Sequence, residues 1–411
     1  YTVPGFLDTL SQAWVFGADS GSTDLVQMVY YEDTSSNARV FAEGCSGWGN
    51  ALTVNGNHDN DTDVAKMKTI TDNIFSHFSG KKYIGNVYTV FENALKWETP
   101  IELDGNVNIL VGKYHKISST TVSIDSGSTL CINGTLEMIG ADTINCNGSI
   151  IVSSTGKLIV SPGSIFKFAN GSSLLVNGKL LANGTSSSRI TFTRAGESGT
   201  WNGITFSGGG PDTLKYCNIQ YATTGLSFTN TTGVSLIDND TIAHCSQDGI
   251  YLSHTSSAIL RTKIQYSAIQ NNAGHGLNLN STLAHIAQTR ITNNGTTDLG
   301  YSGIYLANAK MYLWDSRVSD NKNFGIYISG STAYAWLRPY GAGGTLPGHN
   351  TLNQNINGEL YVTNSGGAFL GGRVTYVYCD CGNSEQKGGV GGYIFSVECP
   401  PDCYAIDITE D

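Results

Sequence analysis

Between Asn133 and Gly184 short apolar runs alternate with polar turns: NGTLEMIG, NGSIIVSS, TGKLIVSP, PGSIFKFA, NGSSLLVN and NGKLLANG follow one another. The glycines Gly148, Gly156, Gly163, Gly171 and Gly178 fall at alternating steps of eight and seven. Within each run every second residue is apolar, which predicts strands with one buried face.

Downstream the period lengthens. The phrases YCNIQYATTGLSF, DTIAHCSQDGIYL, SAIQNNAGHGLNL, YSGIYL and SRVSDNKNFGIYI align on Gly225, Gly249, Gly276, Gly303 and Gly325, in steps of 24, 27, 27 and 22, and NQNINGELYV continues them with Glu359 in the glycine slot. A coil of that length cannot bury its inner face alone, but a stack of coils can, each strand pairing with its counterpart about 4.8 Å away. One position after the glycine stand Leu226, Ile250, Leu277, Ile304, Ile326 and Leu360, and three after it Phe228, Leu252, Leu279, Leu306, Ile328 and Val362. These are the two inward columns. Asparagines 271, 272, 293, 294, 321, 323, 353 and 355 crowd the turns before them, where stacked amides bond to one another and to backbone.

The region resembles the right-handed parallel β-helix domains of secreted and surface bacterial proteins. The expected fold class is therefore mainly β: a right-handed parallel β-helix over residues 116–365, a small N-terminal α/β segment over 1–115, and a Gly/Cys-rich C-terminal cap over 366–411. In the first segment ARVFAEG predicts a buried strand, while DNDTDVAKMKTITDNIFSHFSG and KYIGNVYTVFENALKW carry apolar residues at helical spacing and predict two helices. Strand, loop RVFAEGCSGWGN, helix, IGNVYTVFENAL and NILVGKY resemble in order the closing part of gingipain-like cysteine peptidase domains. That family's catalytic His and Cys precede this part, so neither has a matching position here. The likeness implies a fragment of a longer secreted precursor.

Composition narrows the chemistry. The 411 residues are 40% hydrophobic and 14% charged, with a formal net charge of -10 and no basic cluster. Nucleic acid and anionic membrane surfaces are poor partners for such a chain, and no apolar run reaches the length of a membrane span. Of nine cysteines, Cys379, Cys381, Cys399 and Cys403 frame a Gly-rich stretch. They fit a disulfide-stapled cap in an oxidising compartment, with a four-thiolate zinc site as the alternative. Cys45, Cys131, Cys146, Cys217 and Cys245 read as small buried hydrophobes.

Three features invite a functional reading. Gly274-His275-Gly276 resembles an active-site tripeptide of polygalacturonases, and Asp248 stands one coil above His275 in the column Thr224, Asp248, His275, Ser302, Phe324. Such enzymes need paired carboxylates. Here Asn239-Asp240-Thr241 replaces Asn-Thr-Asp and no Arg-Ile-Lys follows, so Asp248 and His275 read as a turn-edge ladder before they read as catalysts. Arg261 and Lys263 are a similarly weak pair for a lyase. Two positions after the glycine the outward residues are Ser227, Tyr251, Asn278, Tyr305, Tyr327 and Tyr361. A tyrosine row at coil spacing suits stacking of sugar rings, and equally suits self-packing within a sheet. Asp59, Asp61 and Asp63 alternate like calcium-loop ligands, but Val64 replaces the glycine such a loop wants, and the cluster equally caps the following helix.

The expectation is thus an extracellular or cell-surface β-helix with a non-catalytic glycan-binding, adhesive or structural role, needing no cofactor unless that acidic loop holds calcium. Its expected partners are a polysaccharide, other domains of the same precursor or further copies of itself. Two alternatives differ in class: a polysaccharide lyase or glycoside hydrolase, and the distal fragment of a secreted gingipain-like peptidase.

Overall fold

The computed structural model describes residues 100–118, 120–255, 259–296, 300–337 and 350–363 in full, and elsewhere the backbone of individual strands. The chain divides into two units, residues 1–84 with 99–102, and residues 85–98 with 103–411.

In the first unit Leu7–Phe16, Thr23–Asp33 and Ala38–Glu43 form an antiparallel sheet in that order. The strand expected from ARVFAEG is its third member. The helix expected over DNDTDVAKMKTITDNIFSHFSG lies outside the described residues, as do Asp59, Asp61, Asp63 and Cys45.

The second expected helix is corrected by the structure. KYIGNVYTVFENALKW forms the strands Lys82–Gly85, Tyr88–Val90 and Leu95–Trp97. Tyr88–Val90 pairs in parallel with Val107–Ile109, and Leu95–Trp97 with His115–Ile117. Tyr, Val and Thr favour extended backbone, and the free edge of the next coil offers hydrogen bonds that outweigh the helical spacing of Ile84, Val87, Phe91 and Leu95. Of the gingipain-like order of elements, the IGNVYTVFENAL helix is replaced by strands, and the loop and helix expected before it lie outside the described residues.

The second unit holds a right-handed parallel β-solenoid. Each coil gives one strand to each of three faces. In one coil these are Ala268–Gln270 on the first face, Leu277–Asn280 on the second and Leu283–Ala287 on the third. Arg290–Thr292 then lies directly over Ala268–Gln270, Ile304–Ala307 over Leu277–Asn280 and Lys310–Trp314 over Leu283–Ala287. The pairing is parallel and without a register shift in all three.

The inward columns are those the spacing predicts. Leu226, Ile250, Leu277, Ile304, Ile326 and Leu360 pair in succession and are fully buried, as are Phe228, Leu252, Leu279, Leu306, Ile328 and Val362. Toward the N-terminal coils the core turns aromatic. Phe168 stacks on Trp201 with centroids 4.3 Å apart, and Phe206 on Phe228 at 4.2 Å.

Between the first and second faces the chain turns through paired asparagines that do different jobs. Asn271 and Asn293 take the left-handed conformation (φ +57° each), which Asn tolerates better than most residues. Asn272, Asn294, Asn321 and Asn355 point inward and form a ladder: each Nδ2 of the first three donates to the Oδ1 of the next, at 2.9, 3.1 and 2.8 Å. Gly249, Gly276, Gly303 and Gly325 pack against this ladder, while Gly225 packs against Cys245 instead. A Cβ on Gly276 would sit 2.7 Å from Asn294 Nδ2 and 2.7 Å from the Gly303 carbonyl oxygen. The slot is glycine for want of space.

Candidate functional site

The second face carries the predicted row. Ser227, Tyr251, Asn278, Tyr305, Tyr327 and Tyr361 occupy the same position on successive coils, each hydrogen-bonded strand to strand with the next. All six are half-buried and outward. From Tyr305 on, the rings pack on one another as aromatic quadrupoles prefer, edge to face: Tyr305 to Tyr327 at 5.1 Å and 68°, Tyr327 to Tyr361 at 4.8 Å and 67°. Phe324 stacks on Tyr361 at 4.4 Å, and the His275 ring stacks on Tyr305 at 4.9 Å with Tyr301 edge-on to it at 5.0 Å. The result is an aromatic ridge running along the solenoid axis from His275 to Tyr361.

Asp248 and His275 meet at the upstream end of this ridge, but both carboxylate oxygens and the imidazole Nδ1 are engaged. Asp248 Oδ1 accepts the His275 backbone N–H at 2.8 Å, and Oδ2 accepts Asn278 Nδ2 at 2.8 Å. His275 Nδ1 accepts the Ser302 backbone N–H at 2.9 Å. Burial lowers the imidazole pKa, so the ring is neutral and carries its proton on Nε2. Proton uptake at Nδ1 would break the bond to Ser302. The pair thus closes a turn over three coils and fixes Asn278 within the row.

Asp240 faces inward, not toward a ligand. Its Oδ1 accepts the Cys217 backbone N–H at 2.6 Å, and burial pushes its pKa up to about 7. Asp212 is a second interior acid, bound through Oδ1 to the Leu180 N–H and raised to about 6, again chiefly by burial. Arg261 and Lys263 lie on the third-face strand Leu260–Gln265, away from the tyrosine row.

Cys146, Cys217 and Cys245 are buried free thiols, their pKa values raised by burial. Cys131 departs from the expectation: it is the outward residue of Thr129–Ile132 and half exposed. Among the cap cysteines, Cys379 ends the strand Arg373–Cys379, whose side chains are not described, and Cys381, Cys399 and Cys403 lie outside the described residues. Among the described residues no cluster of three or more His, Cys, Asp or Glu side chains could hold a metal ion, and no helix is long and apolar enough to cross a membrane.

Sequence reasoning missed a second aromatic group, on the third face. Tyr312 stacks on Trp336 at 4.6 Å and 11°, Tyr334 tilts against Trp336 at 4.6 Å, and His285 meets Tyr312 edge-on at 5.2 Å. Tyr312 and Trp336 are strand partners one coil apart. The same columnar alignment that found the tyrosine row would have found them, had it been extended to the third strand of each coil.

A family model described as "Right handed beta helix region" matches residues 224–379. No curated protein matches the chain. Among solved structures the chain is similar to the A-module of mannuronan C-5 epimerase AlgE4 from Azotobacter vinelandii, at 11% identity over 66% of this chain and 89% of that one, with a TM-score of 0.33. It is also similar to the AlgE6 A-module from the same organism, at 11% identity over 74% and 93% of the two chains, with a TM-score of 0.27. No residue role passes from those modules to this chain.

Proposed function

We propose that the second face of the solenoid is a glycan-recognition surface, and that the chain is a non-catalytic module of an extracellular or cell-surface protein. One observation carries the reading: Tyr251, Asn278, Tyr305, Tyr327 and Tyr361 are aligned at one residue per coil, in strict register, along the outside of the molecule. Coil spacing of about 4.8 Å is close to the length of one pyranose ring. Rings on such a ridge stack on the apolar faces of sugars, while phenol hydroxyls and the Asn278 amide reach their hydroxyls. A non-catalytic role is supported by the engagement of Asp248 and His275 in turn closure.

The test is a glycan array probed with the wild-type chain and a Tyr305→Ala/Tyr327→Ala variant. Binding that disappears in the variant supports recognition by the row; unchanged binding removes the row from consideration. Release of reducing ends or unsaturated products from a polysaccharide, abolished in Asp248→Asn, would instead make the chain an enzyme.

A further inference from the structure

The reading of the second face as a glycan surface has a chemical corollary in its charge. Its outward positions, from Ile204–Ser207 through Phe324–Ser329 and on to Tyr361 and Thr363, form two parallel rows. One is the row of Ser227, Tyr251, Asn278, Tyr305, Tyr327 and Tyr361. The other, two residues along each strand, is Ser207, Thr229, Ser253, Asn280, Ala307, Ser329 and Thr363, again in unbroken register. None of these side chains carries a charge at neutral pH, and the carboxylate that borders the face is Asp248, bound to Asn278. Glu359, in the glycine slot, is buried and offers nothing to the outside.

The other two faces are different. The first carries Arg290 directly paired with Arg317 and both exposed, and the third carries Lys157, Lys179, Lys215, Lys263 and Lys310. Cations are therefore available to this fold but absent from the outward positions of the tyrosine face among the described residues. An acidic polysaccharide laid on that face would bring one charge per ring into contact with aromatic and hydroxyl groups, lose part of its hydration, and find no cation in return. The net charge of -10 would oppose its approach as well. A neutral chain has what the face offers partners for: apolar C–H faces for the aromatic row, and a rim of hydroxyls for the Ser, Thr and Asn row.

We infer that the second face binds an uncharged polysaccharide, laid along the solenoid axis across the strands. Tyr251 to Tyr361 spans four coil steps, ~19 Å, so affinity rises with oligosaccharide length up to about four or five rings and then levels off. The inference rests on the glycan reading of this face and narrows its ligand class.

Affinity electrophoresis of the whole chain tests it, using gels containing neutral polysaccharides (a mixed-linkage β-glucan, a galactomannan, starch) or polyanions (polygalacturonate, alginate), each at low and high salt. The variants are Tyr305→Ala/Tyr327→Ala, Tyr251→Ala as a row member with fewer ring neighbours, and Trp336→Ala as a control on the third face. The expected result is retardation by at least one neutral polymer, insensitive to salt, weakened about tenfold or more by the double variant and unaffected by Trp336→Ala. Retardation by a polyanion alone, lost in the row variants, would overturn the uncharged-ligand inference and leave the glycan reading standing. Retardation that survives every row variant, or none with any polymer, would overturn both. Should the double variant fail to fold, Tyr251→Ala reads the same loss of retardation.

Discussion

Asn294 donates through Nδ2 to Asn321 Oδ1 at 3.1 Å, and its own backbone N–H donates to the same oxygen at 3.0 Å, so one amide oxygen holds two donors from the coil before it. Asn294 in turn offers its Oδ1 to the N–H and Nδ2 of Asn272. Replacing it with Ala strands two buried donors at Asn272 and leaves the Ile269 carbonyl without the amide at 3.1 Å. At roughly 1–3 kcal/mol for each buried group left unsatisfied, Asn294→Ala loses about 3 kcal/mol or more in guanidinium denaturation. A loss below about 1 kcal/mol would show that the ladder contributes little.

The glycine slot makes a separate, steric prediction. Gly276→Ala forces a methyl to within 2.7 Å of Asn294 Nδ2 and 2.8 Å of Ile291 Cγ2, with no room to retreat. It costs about 3 kcal/mol, or prevents folding outright. Gly171 is the contrast: φ is +78° but nothing lies within 4 Å of a Cβ there, so Gly171→Ala costs only about 1–2 kcal/mol, from backbone strain alone. Soluble yield and Tm of the two variants separate crowding from conformation.

The inward columns are legible in the sequence alone, because an apolar residue repeating at steps of 22 to 34 beside an aligned turn leaves little choice of register. The asparagine crowding is legible too. Which asparagine of each pair turns the backbone and which enters the ladder is not, since Asn271 and Asn272 differ only in where the coil has brought them. Residues 82–97 mislead for a related reason: helical spacing is a local signal, and the strand edge that captures Tyr88–Val90 lies about twenty residues downstream. At the candidate site, the alignment of Asp248 with His275 follows from coil length. That their oxygens and Nδ1 are taken by His275, Asn278 and Ser302 follows only from side-chain geometry.

Interior acids set a pH dependence. Asp240 holds its proton up to about pH 7 in the folded chain, whereas in the unfolded chain it releases it near 4. Between those values the folded state binds the extra proton, so this group's contribution to stability is full below about pH 4 and is lost as pH rises to about 7, at up to ~1.4 kcal/mol per pH unit. Asp240→Asn keeps the oxygen that accepts the Cys217 N–H and removes the titration. The stability difference between variant and wild type therefore grows in the variant's favour from about pH 4 to about 7 and is flat above. A difference independent of pH would show that Asp240 is ionised throughout.

Thr262 offers a gain. It is fully buried, and its hydroxyl has no hydrogen-bond partner. Thr262→Val keeps the shape and removes the stranded group, raising stability by about 1 kcal/mol. Ser267 is its opposite: the hydroxyl accepts the Asp240 N–H at 3.1 Å and donates to the Gln265 carbonyl at 2.8 Å, so Ser267→Ala lowers stability by about 1–2 kcal/mol. Thermal melts of the two variants, read as opposite shifts, check both.

From Gly249 to Gly325 the glycine and the inward asparagine recur together at the turn into the second face, and each of these coils offers its successor the same docking edge. Excision of residues 276–302 would set Gly303 and Asn321 where Gly276 and Asn294 now stand, against the same neighbours. The molecule can therefore be lengthened or shortened in whole turns at these columns, and the reach of its tyrosine ridge scaled with it, the bonds from Asp248 to Asn278 and from His275 to Ser302 being those that leave with this particular coil.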